Sequence, residues 1–208
     1  MVEGMRQMYA HDLEQRSNTV LKREYLDVTV QEITAGRVYS EGGIIVTAVP
    51  VEHHDGNPAF GYRLDAGAHS VLLTGDATLS DSLLTAGKGA DVVISNVAAG
   101  SENIERSGAI APVLAKLMLP EQAARLFATT RPRLAVFSHI VKKGLPGAAG
   151  DGIILSRTRK AGYSGPLRMG MDGMKITVGD AIRIEHAQSR RTLPDLDGPG
   201  AVFARPVH

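Results

Sequence analysis

Three short polar segments of this chain carry side chains that can hold a metal ion or move a proton. His53 and His54 lie in the first segment, Asp76 follows Gly75 in the second, and His139 lies in the third. Imidazole and carboxylate groups suit zinc, manganese or iron, and one carboxylate can bridge two metals. His53 stands 23 residues before Asp76, which stands 63 residues before His139, so the fold must assemble any shared site.

Each segment also has a simpler structural interpretation when it is taken alone. The adjacent histidines His53 and His54 are compatible with an exposed loop, and a lone histidine such as His139 is often structural. Asp76 is compatible with a helix N-cap or with the phosphoacceptor of a signalling receiver domain. A receiver also needs an acidic pair near the end of its first strand, and no such pair precedes Asp76 in that context.

The elements that must position these segments are short strands, one before each polar segment. They are predicted over Ile44–Val51, Ser70–Thr74 and Leu134–Ser138, which are short and mainly apolar. Ligands of α/β sheets bind beyond the carboxyl ends of the strands, so we expect the three segments to meet at one sheet edge.

The remaining elements predict a mixed α/β layer fold, because antiparallel strands come first and strands alternating with helices follow. The further strands are predicted over Tyr25–Thr34, Phe60–Asp65, Asp91–Ser95, Lys175–Val178 and Ala181–Ile184. The helices are predicted over Glu3–Glu24, Ser80–Lys88, Ala109–Lys116, Pro120–Thr130 and Ile153–Ala161. The segment 187–208 contains three prolines, and we expect it to be a loosely ordered tail.

Composition narrows the class of protein and the kind of site. The chain has 208 residues, 43% hydrophobic and 22% charged, which excludes a wholly disordered protein. It has no cysteine, so disulfide scaffolds and cysteine zinc fingers are excluded, and any metal site must use His, Asp or Glu. No apolar run approaches the roughly 18 residues of a membrane span. The N-terminal segment lacks a signal-peptide pattern, so we expect a cytoplasmic protein.

An ordered set of motifs resembles the metallo-β-lactamase superfamily, in particular its ribonuclease Z-like and arylsulfatase-like hydrolases. The resemblance covers roughly residues 10–185 and is carried by Pro58-Ala59-Phe60-Gly61-Tyr62-Arg63, Gly75-Asp76-Ala77, Gly89-Ala90-Asp91, Pro120-Glu121-Gln122-Ala123-Ala124 and Ser138-His139. It implies an αββα sandwich over residues 1–186, of which this chain would be the C-terminal portion.

The resemblance also implies a metal-dependent hydrolase, in which metal-bound hydroxide attacks an ester or a phosphodiester. His53, Asp76 and His139 match family ligands of a two-metal site, with zinc or manganese as the expected metal and Asp76 as the bridging carboxylate. His54 ranks second to His53 because its spacing to Phe60 is offset by one residue. The alternative is a non-catalytic binding module on the same fold.

The sequence departs from the family pattern at three places. It contains no His-x-His-x-Asp-His motif, so we expect weak metal binding unless a complementing fragment or a second copy in a homo-oligomer supplies ligands. Leu117 stands where ribonuclease Z-type enzymes carry a histidine, and Asn96-Val97 replaces the usual His-Glu pair. Both changes count against tRNA-end processing and favour a small-molecule ester or phosphodiester as the substrate.

Nucleic acid is not the partner that the charge pattern favours. The formal net charge is only +1, and the basic residues of the C-terminal half have no interleaved aromatic residues. We therefore expect these side chains to form a solvated face, with contact between Lys142–Lys143 and an anionic substrate group as the alternative. Tyr62 and Arg63 are expected to be structural. The basic residues concerned are Arg131, Arg133, Lys142, Lys143, Arg157, Arg159 and Lys160.

Overall fold

The computed structural model describes residues 2–17, 30–53 and 58–186, and it divides the chain into two compact units. The first unit, Met1–Thr34, contains helices α1 (Val2–Met8) and α2 (Ala10–Ser17). They replace the single predicted helix over Glu3–Glu24, whose later residues lie outside the described residues. The strand predicted over Tyr25–Thr34 is not formed by residues 30–34, and its first five residues also lie outside the described part.

The second unit is built on a seven-stranded sheet whose strands follow one another in chain order. The strands are β1 (Gly36–Glu41), β2 (Ile44–Val51), β3 (Ala59–Ala66), β4 (His69–Leu73), β5 (Val92–Gly100), β6 (Leu134–Lys143) and β7 (Leu167–Met169). Strands β1 to β4 pair antiparallel, and β4 to β7 pair parallel. Because β3 is antiparallel to both β2 and β4, the strands β2, β4, β5 and β6 all end at the same edge, which we call the carboxyl edge.

Helices pack on one face of this sheet and bury its main core. They are α3 (Asp81–Ala86), α4 (Glu102–Arg106), α5 (Ala111–Leu114), α6 (Pro120–Thr130) and α7 (Gly147–Lys160). The ring of Phe127 on α6 lies 5.6 Å from that of Phe137 on β6 and 5.3 Å from that of Tyr163, and all three are buried. This packing fixes α6 over the middle of the parallel strands, because buried aromatic side chains contribute large apolar areas.

A two-stranded ribbon covers the parallel strands on the opposite face. It consists of β8 (Lys175–Thr177) and β9 (Arg183–Glu185), so the predicted final hairpin is confirmed. Its residues Ile176 and Ile184 pack with Val92, Leu134 and Val136 of the sheet. Alternate residues at the start of β5 and β6 thus face the helices and the ribbon, which explains the apolar runs Val92–Ile94 and Leu134–Phe137.

The α/β class is confirmed, and the differences from the predicted elements have identifiable causes. Strands β5 and β6 extend five residues beyond their predicted ends at Ser95 and Ser138, because polar residues there interrupt the apolar run without ending the pairing. Strand β1, which replaces the strand predicted before it, is largely exposed and so lacks an apolar pattern. The predicted tail 187–208 lies outside the described residues. Among those described, no helix has the length and apolar character that a membrane crossing requires.

Candidate metal centre

The three predicted donor residues that the structure describes line one cavity at the carboxyl edge of the sheet. His53 follows β2, Asp76 follows β4, and His139 lies within β6, two residues after the point where the neighbouring strand β7 ends opposite Phe137. The cavity measures about 350 Å³. A wall formed by α5 and the segment after it completes the cavity with Pro112, Val113, Lys116 and Leu117. His54 lies outside the described residues.

A tight turn after β4 delivers Asp76 to the cavity. Gly75 has a φ of +65°, and a Cβ atom at this position would lie 3.0 Å from the carbonyl oxygen of Phe60. On the facing strand, a Cβ atom at Gly61 would lie 2.7 Å from the carbonyl oxygen of Leu73. Strand β3 therefore passes directly against the end of β4, and both glycines of the sequence motifs are needed for this close backbone approach.

A β-bulge directs His139 out of the regular pattern of β6. Asn96 of β5 pairs with Ser138, and the next pair is Val97 with Ile140, so His139 is the extra residue. Its φ is +43°, a left-handed conformation that is uncommon for residues other than glycine. Bulges re-aim side chains at functional edges of sheets, and this one explains how a residue inside a strand reaches a cavity at the strand ends.

The turn and the bulge bring Asp76 and His139 into contact. The Nδ1 atom of His139 lies 3.3 Å from Oδ1 of Asp76, and the two side chains are 50% and 46% exposed. An exposed contact of this kind contributes little to stability. Both groups therefore remain accessible to a ligand that enters from solvent.

The wall of the cavity holds the third donor, His53. The Nδ1 atom of His53 lies 3.3 Å from the carbonyl oxygen of Lys116. A carbonyl oxygen can only accept, so Nδ1 is the donor in this hydrogen bond, and Nε2 is the ring nitrogen left for a metal ion. Metal-bound histidines are oriented in the same way, with the second ring nitrogen donating to a backbone carbonyl or a carboxylate.

The donor groups are of the types that bind a divalent metal ion, but too few of them lie close together to hold one ion. Two imidazoles and a carboxylate are the ligand types found at zinc and manganese sites. Within residues 2–17, 30–53 and 58–186, however, no three His, Asp or Glu side chains stand close enough together to hold one ion. Asp76 and His139 form a pair, and His53 lines the same cavity without closing a three-ligand cluster.

Most of the basic residues noted in the sequence bond to other parts of the protein. Lys142 Nζ lies 2.6 Å from Oδ1 of Asp151, and Arg157 donates to Glu121 at 2.8 Å and to Glu105 at 2.7 Å. The hydrogen bond from Arg157 to Glu121 is the main reason that the pKa of Arg157 is raised. These two side chains thus form ion pairs within the protein, and the structure does not place Lys142 at an anionic substrate group.

Arg63 is structural, as expected. It bonds to Asp65 and donates to the carbonyl oxygens of Ala86 and Lys88 at the end of α3, at 2.6 and 3.0 Å. It thereby ties the last turn of α3 to strand β3. Arg63 thus stabilises strand β3, which packs against the Asp76 turn, and it does not line the cavity.

Sequence reasoning missed two parts of this site. The first is the wall of Pro112, Val113 and Lys116, for which only the substitution noted at Leu117 gave a signal. The second is a buried polar pair, Thr74 and Asn96, directly behind the Asp76 turn. Polar residues at the ends of two adjacent apolar strands are the pattern that could have identified this pair.

Comparison with known proteins agrees with this architecture. A family model described as the beta-lactamase superfamily domain matches residues 4–140. Ribonuclease Z from Mycobacterium tuberculosis strain H37Rv is 29% identical over 103 residues, which are 47% of this chain and 36% of that protein. The chain thus spans less than half the length of the curated relatives it matches.

Two solved structures show the same fold at low sequence identity. The metallo-beta-lactamase fold protein YhfI from Bacillus subtilis superimposes with a TM-score of 0.57 at 17% identity, over 84% of this chain and 62% of that one. A diphosphatase from the PhnP family gives a TM-score of 0.50 at 16% identity, over 80% and 55% of the two chains. At these identities the likeness concerns the fold alone.

Proposed function

Because the chain belongs to the beta-lactamase superfamily domain family, as the match over residues 4–140 shows, we propose that it is a metal-dependent hydrolase of small esters or phosphodiesters. The observation that carries the proposal is the contact between Asp76 and His139 in a cavity that His53 also lines. Residues 1–186 are the proposed extent of the hydrolase domain.

Within this proposal, His53, Asp76 and His139 are the protein ligands that the chain contributes to a two-metal site. A bound divalent metal would supply a Lewis acid and a water molecule that ionises near neutral pH. The chain's own residues orient the donors. The Lys116 carbonyl accepts from Nδ1 of His53 and leaves Nε2 for the metal, the Gly75 turn presents Asp76, and the bulge presents His139.

The proposed substrate class follows from the size and chemistry of the cavity. A volume of about 350 Å³ suits a small molecule, and Pro112, Val113 and Leu117 make one wall apolar. This wall would exclude water from one side of the substrate. The curated relative named ribonuclease Z makes a phosphodiester a reasonable first test, although Leu117 and Asn96 differ from the pattern expected of tRNA-processing enzymes.

The number of donors defines the second candidate function. A catalytic zinc site normally has three protein ligands and a water, and the described residues provide no three-ligand cluster. We propose that a complementing segment or a second copy of the chain supplies the other ligands. A non-catalytic binding module on the same fold is the alternative that the incomplete set favours.

Metal content per chain separates the metal-dependent hydrolase from the non-catalytic binding module. The protein is purified with zinc or manganese, loosely bound metal is removed, and the retained metal is counted by elemental mass spectrometry. Asp76→Asn removes the negative charge of the proposed bridging ligand, and Asp172→Asn, at an exposed turn, is the matched control. We expect the wild-type and control proteins to retain metal, weakly alone and more strongly with a complementing segment or a second copy, and Asp76→Asn to lose it.

Hydrolysis of bis(p-nitrophenyl) phosphate and p-nitrophenyl acetate should then be lost in Asp76→Asn and kept in the wild-type protein and in Asp172→Asn. Metal that is retained equally by all three proteins would contradict the assignment of Asp76. Retention by none of them, also after addition of a complementing chain, would favour the non-catalytic binding module.

A further inference from the structure

A buried polar pair, Thr74 and Asn96, lies directly behind the Asp76 turn. The two residues are 1% and 3% exposed, although they stand at an edge where the neighbouring donors are half exposed. Thr74 follows β4, and Asn96 lies in β5, between the strands that carry Asp76 and His139. Buried polar side chains cost free energy unless they are hydrogen-bonded, so their bonds require an explanation.

The hydroxyl group of Thr74 is the centre of a small hydrogen-bond network. Its Oγ1 atom donates to the carbonyl oxygen of Gly75 at 2.9 Å and accepts from the backbone N–H of Asn96 at 3.3 Å. The side-chain amide of Asn96 also lies 3.3 Å from this hydroxyl. The backbone N–H of Thr74 donates to the carbonyl oxygen of Ile94 at 3.0 Å. Both the backbone and the side chain of Thr74 are therefore bonded to strand β5.

Counting donors and acceptors leaves part of the Asn96 amide without a partner. The Thr74 hydroxyl has one proton, which the Gly75 carbonyl oxygen at 2.9 Å and the Asn96 Oδ1 atom at 3.3 Å both face. The Nδ2 atom of Asn96 is buried and has no hydrogen-bond partner within the described residues.

This arrangement is poorly suited to a purely structural role. An unpaired buried amide group destabilises the fold, and an apolar residue of the same size would avoid that cost. The pair has instead a specific location. It bonds the carbonyl of Gly75, the residue whose conformational freedom controls the direction of Asp76, and Asn96 is paired with Ser138, the residue just before the His139 bulge.

We propose that Thr74 and Asn96 are positioning residues that fix the backbone of Gly75 and thereby hold Asp76 against His139. The proposal rests on the proposed function, since it assigns the pair to the candidate metal site. Asn96 thus connects the segment that carries Asp76, through Thr74, with the segment that carries His139, through Ser138. A glycine turn without this bond would sample several conformations, and Asp76 would then contact His139 only part of the time.

The test uses isosteric substitutions in the full chain. Thr74→Val and Asn96→Leu remove the polar groups, while Thr74→Ser keeps the hydroxyl. Thr158→Val is the matched control, because Thr158 is also fully buried and its hydroxyl donates to the Ile154 carbonyl within α7. The first measurement is the NMR order parameter of the Gly75 and Asp76 amides, which requires no metal.

We expect these order parameters to fall from about 0.85 to below about 0.6 in Thr74→Val and Asn96→Leu, and to stay unchanged in Thr74→Ser and Thr158→Val. The second measurement is the affinity for Co²⁺, followed by its visible absorption bands. Loss of a group that orients a ligand weakens metal affinity by about 10–100-fold, and we expect this loss in the first two variants only.

Unfolding in urea separates positioning from a merely structural role. Asn96→Leu should be as stable as the wild type or more stable, while its order parameters and Co²⁺ affinity fall. Unchanged order parameters in both Thr74→Val and Asn96→Leu would overturn the proposal. If the wild-type protein binds no Co²⁺, the proposed function fails, and the order parameters alone decide whether the pair fixes the Gly75 turn.

Discussion

The sheet carries a histidine–aspartate pair at each of two opposite edges, and the two pairs differ in solvent exposure and in their hydrogen-bond partners. At the carboxyl edge, His139 and Asp76 lie 3.3 Å apart and are 50% and 46% exposed. At the amino edge, His69 and Asp91 lie 3.6 Å apart and are 33% and 14% exposed. The residue types are the same, so residue type alone does not identify a site.

The partners of Asp91 make the difference. One carboxylate oxygen of Asp91 accepts from the backbone N–H of Ser70 at 2.9 Å, and the other accepts from Arg133 at 3.0 Å. Arg133 donates further to the carbonyl oxygens of Gly179 and Asp180 in the turn between β8 and β9. Burial raises the pKa of Asp91, but the hydrogen bonds from Ser70 and Arg133 outweigh it and hold the pKa below its usual range.

The amino edge is therefore a structural anchor, and the carboxyl edge keeps its donors accessible. Asp91 bonds to Ser70 in β4 and to Leu134 at the start of β6, and Arg133 extends these hydrogen bonds to the ribbon. At the other edge, the protein fixes the backbones that carry Asp76 and His139 and leaves half of each side chain open to solvent. This contrast is the physical argument for a ligand site at the carboxyl edge.

The largest expected effect is the loss of stability when the anchor is removed. Asp91→Ala leaves the Ser70 N–H and Arg133 without their acceptor, and we expect a loss of about 2–3 kcal/mol in the free energy of unfolding. Asp76→Ala is the matched change at the other edge and should alter this free energy by less than about 0.5 kcal/mol. Urea unfolding at neutral pH measures both, and equal losses would abolish the distinction between the edges.

The second expected effect is the acid sensitivity of the anchor. Because the pKa of Asp91 is lower in the folded protein, its contribution to stability is present above the unfolded pKa of about 3.9 and is lost as the pH falls through the folded value. Arg133 and His69 are the charged or titratable groups that face Asp91. The stability of Asp91→Asn should therefore decline less than that of the wild type when urea unfolding is repeated at successively lower pH below about 5.

A parallel decline of the two proteins would show that Asp91 does not cause this part of the acid sensitivity. Glu121 must be considered in the same experiment, because its hydrogen bonds with Arg157 outweigh the effect of burial and lower its pKa too. The difference between wild type and Asp91→Asn cancels the contribution of Glu121, since that pair is present in both proteins.

The third expected effect compares two glycines with similar backbone conformations, one at each edge. Gly75 and Gly67 have φ values of +65° and +58°, so alanine at either position costs about 1–2 kcal/mol for the left-handed conformation. Only at Gly75 would the new Cβ atom also meet backbone, the Phe60 carbonyl at 3.0 Å, while Gly67 has no atom within 4 Å. Gly75→Ala should therefore be less stable than Gly67→Ala by about 1 kcal/mol or more.

Thermal unfolding of the two glycine variants gives this difference directly. Equal losses would mean that β3 and the Asp76 turn move apart easily, and that the turn is less tightly held than its geometry indicates. The measurement thus tests whether the backbone of the carboxyl edge is rigid while its side chains remain open to solvent.

The sequence predicted the class of the fold and the order of the strands near the site, because these depend on local patterns. Apolar runs marked β2, β4 and β6, and the polar residue after each run marked the edge at which a ligand would bind. The exposed strand β1 and the wall at Val113 and Leu117 carry no such pattern, since their position depends on contacts with distant parts of the chain.

The contact between Asp76 and His139 was predicted as a convergence at one edge, but the device that produces it was not. A bulge requires knowledge of which residues pair across β5 and β6, and pairing is not readable from one strand alone. The role of Asn96 was equally hidden. Its sequence position indicated a departure from the family pattern, and only the fold shows that it lies behind the Asp76 turn.

The smallest expected effect tests whether the bulge stores strain. His139 has a φ of +43°, which glycine adopts at little cost, so His139→Gly should be more stable than His139→Ala by about 0.5–1 kcal/mol. The neighbour Ser138 is the control, because Ser138→Gly should instead be less stable than Ser138→Ala by a similar amount. Both His139 variants should bind Co²⁺ more weakly than the wild type. If His139→Gly gains nothing over His139→Ala while Ser138 behaves as expected, the left-handed conformation is not strained, and the bulge then directs the side chain at no cost to the fold.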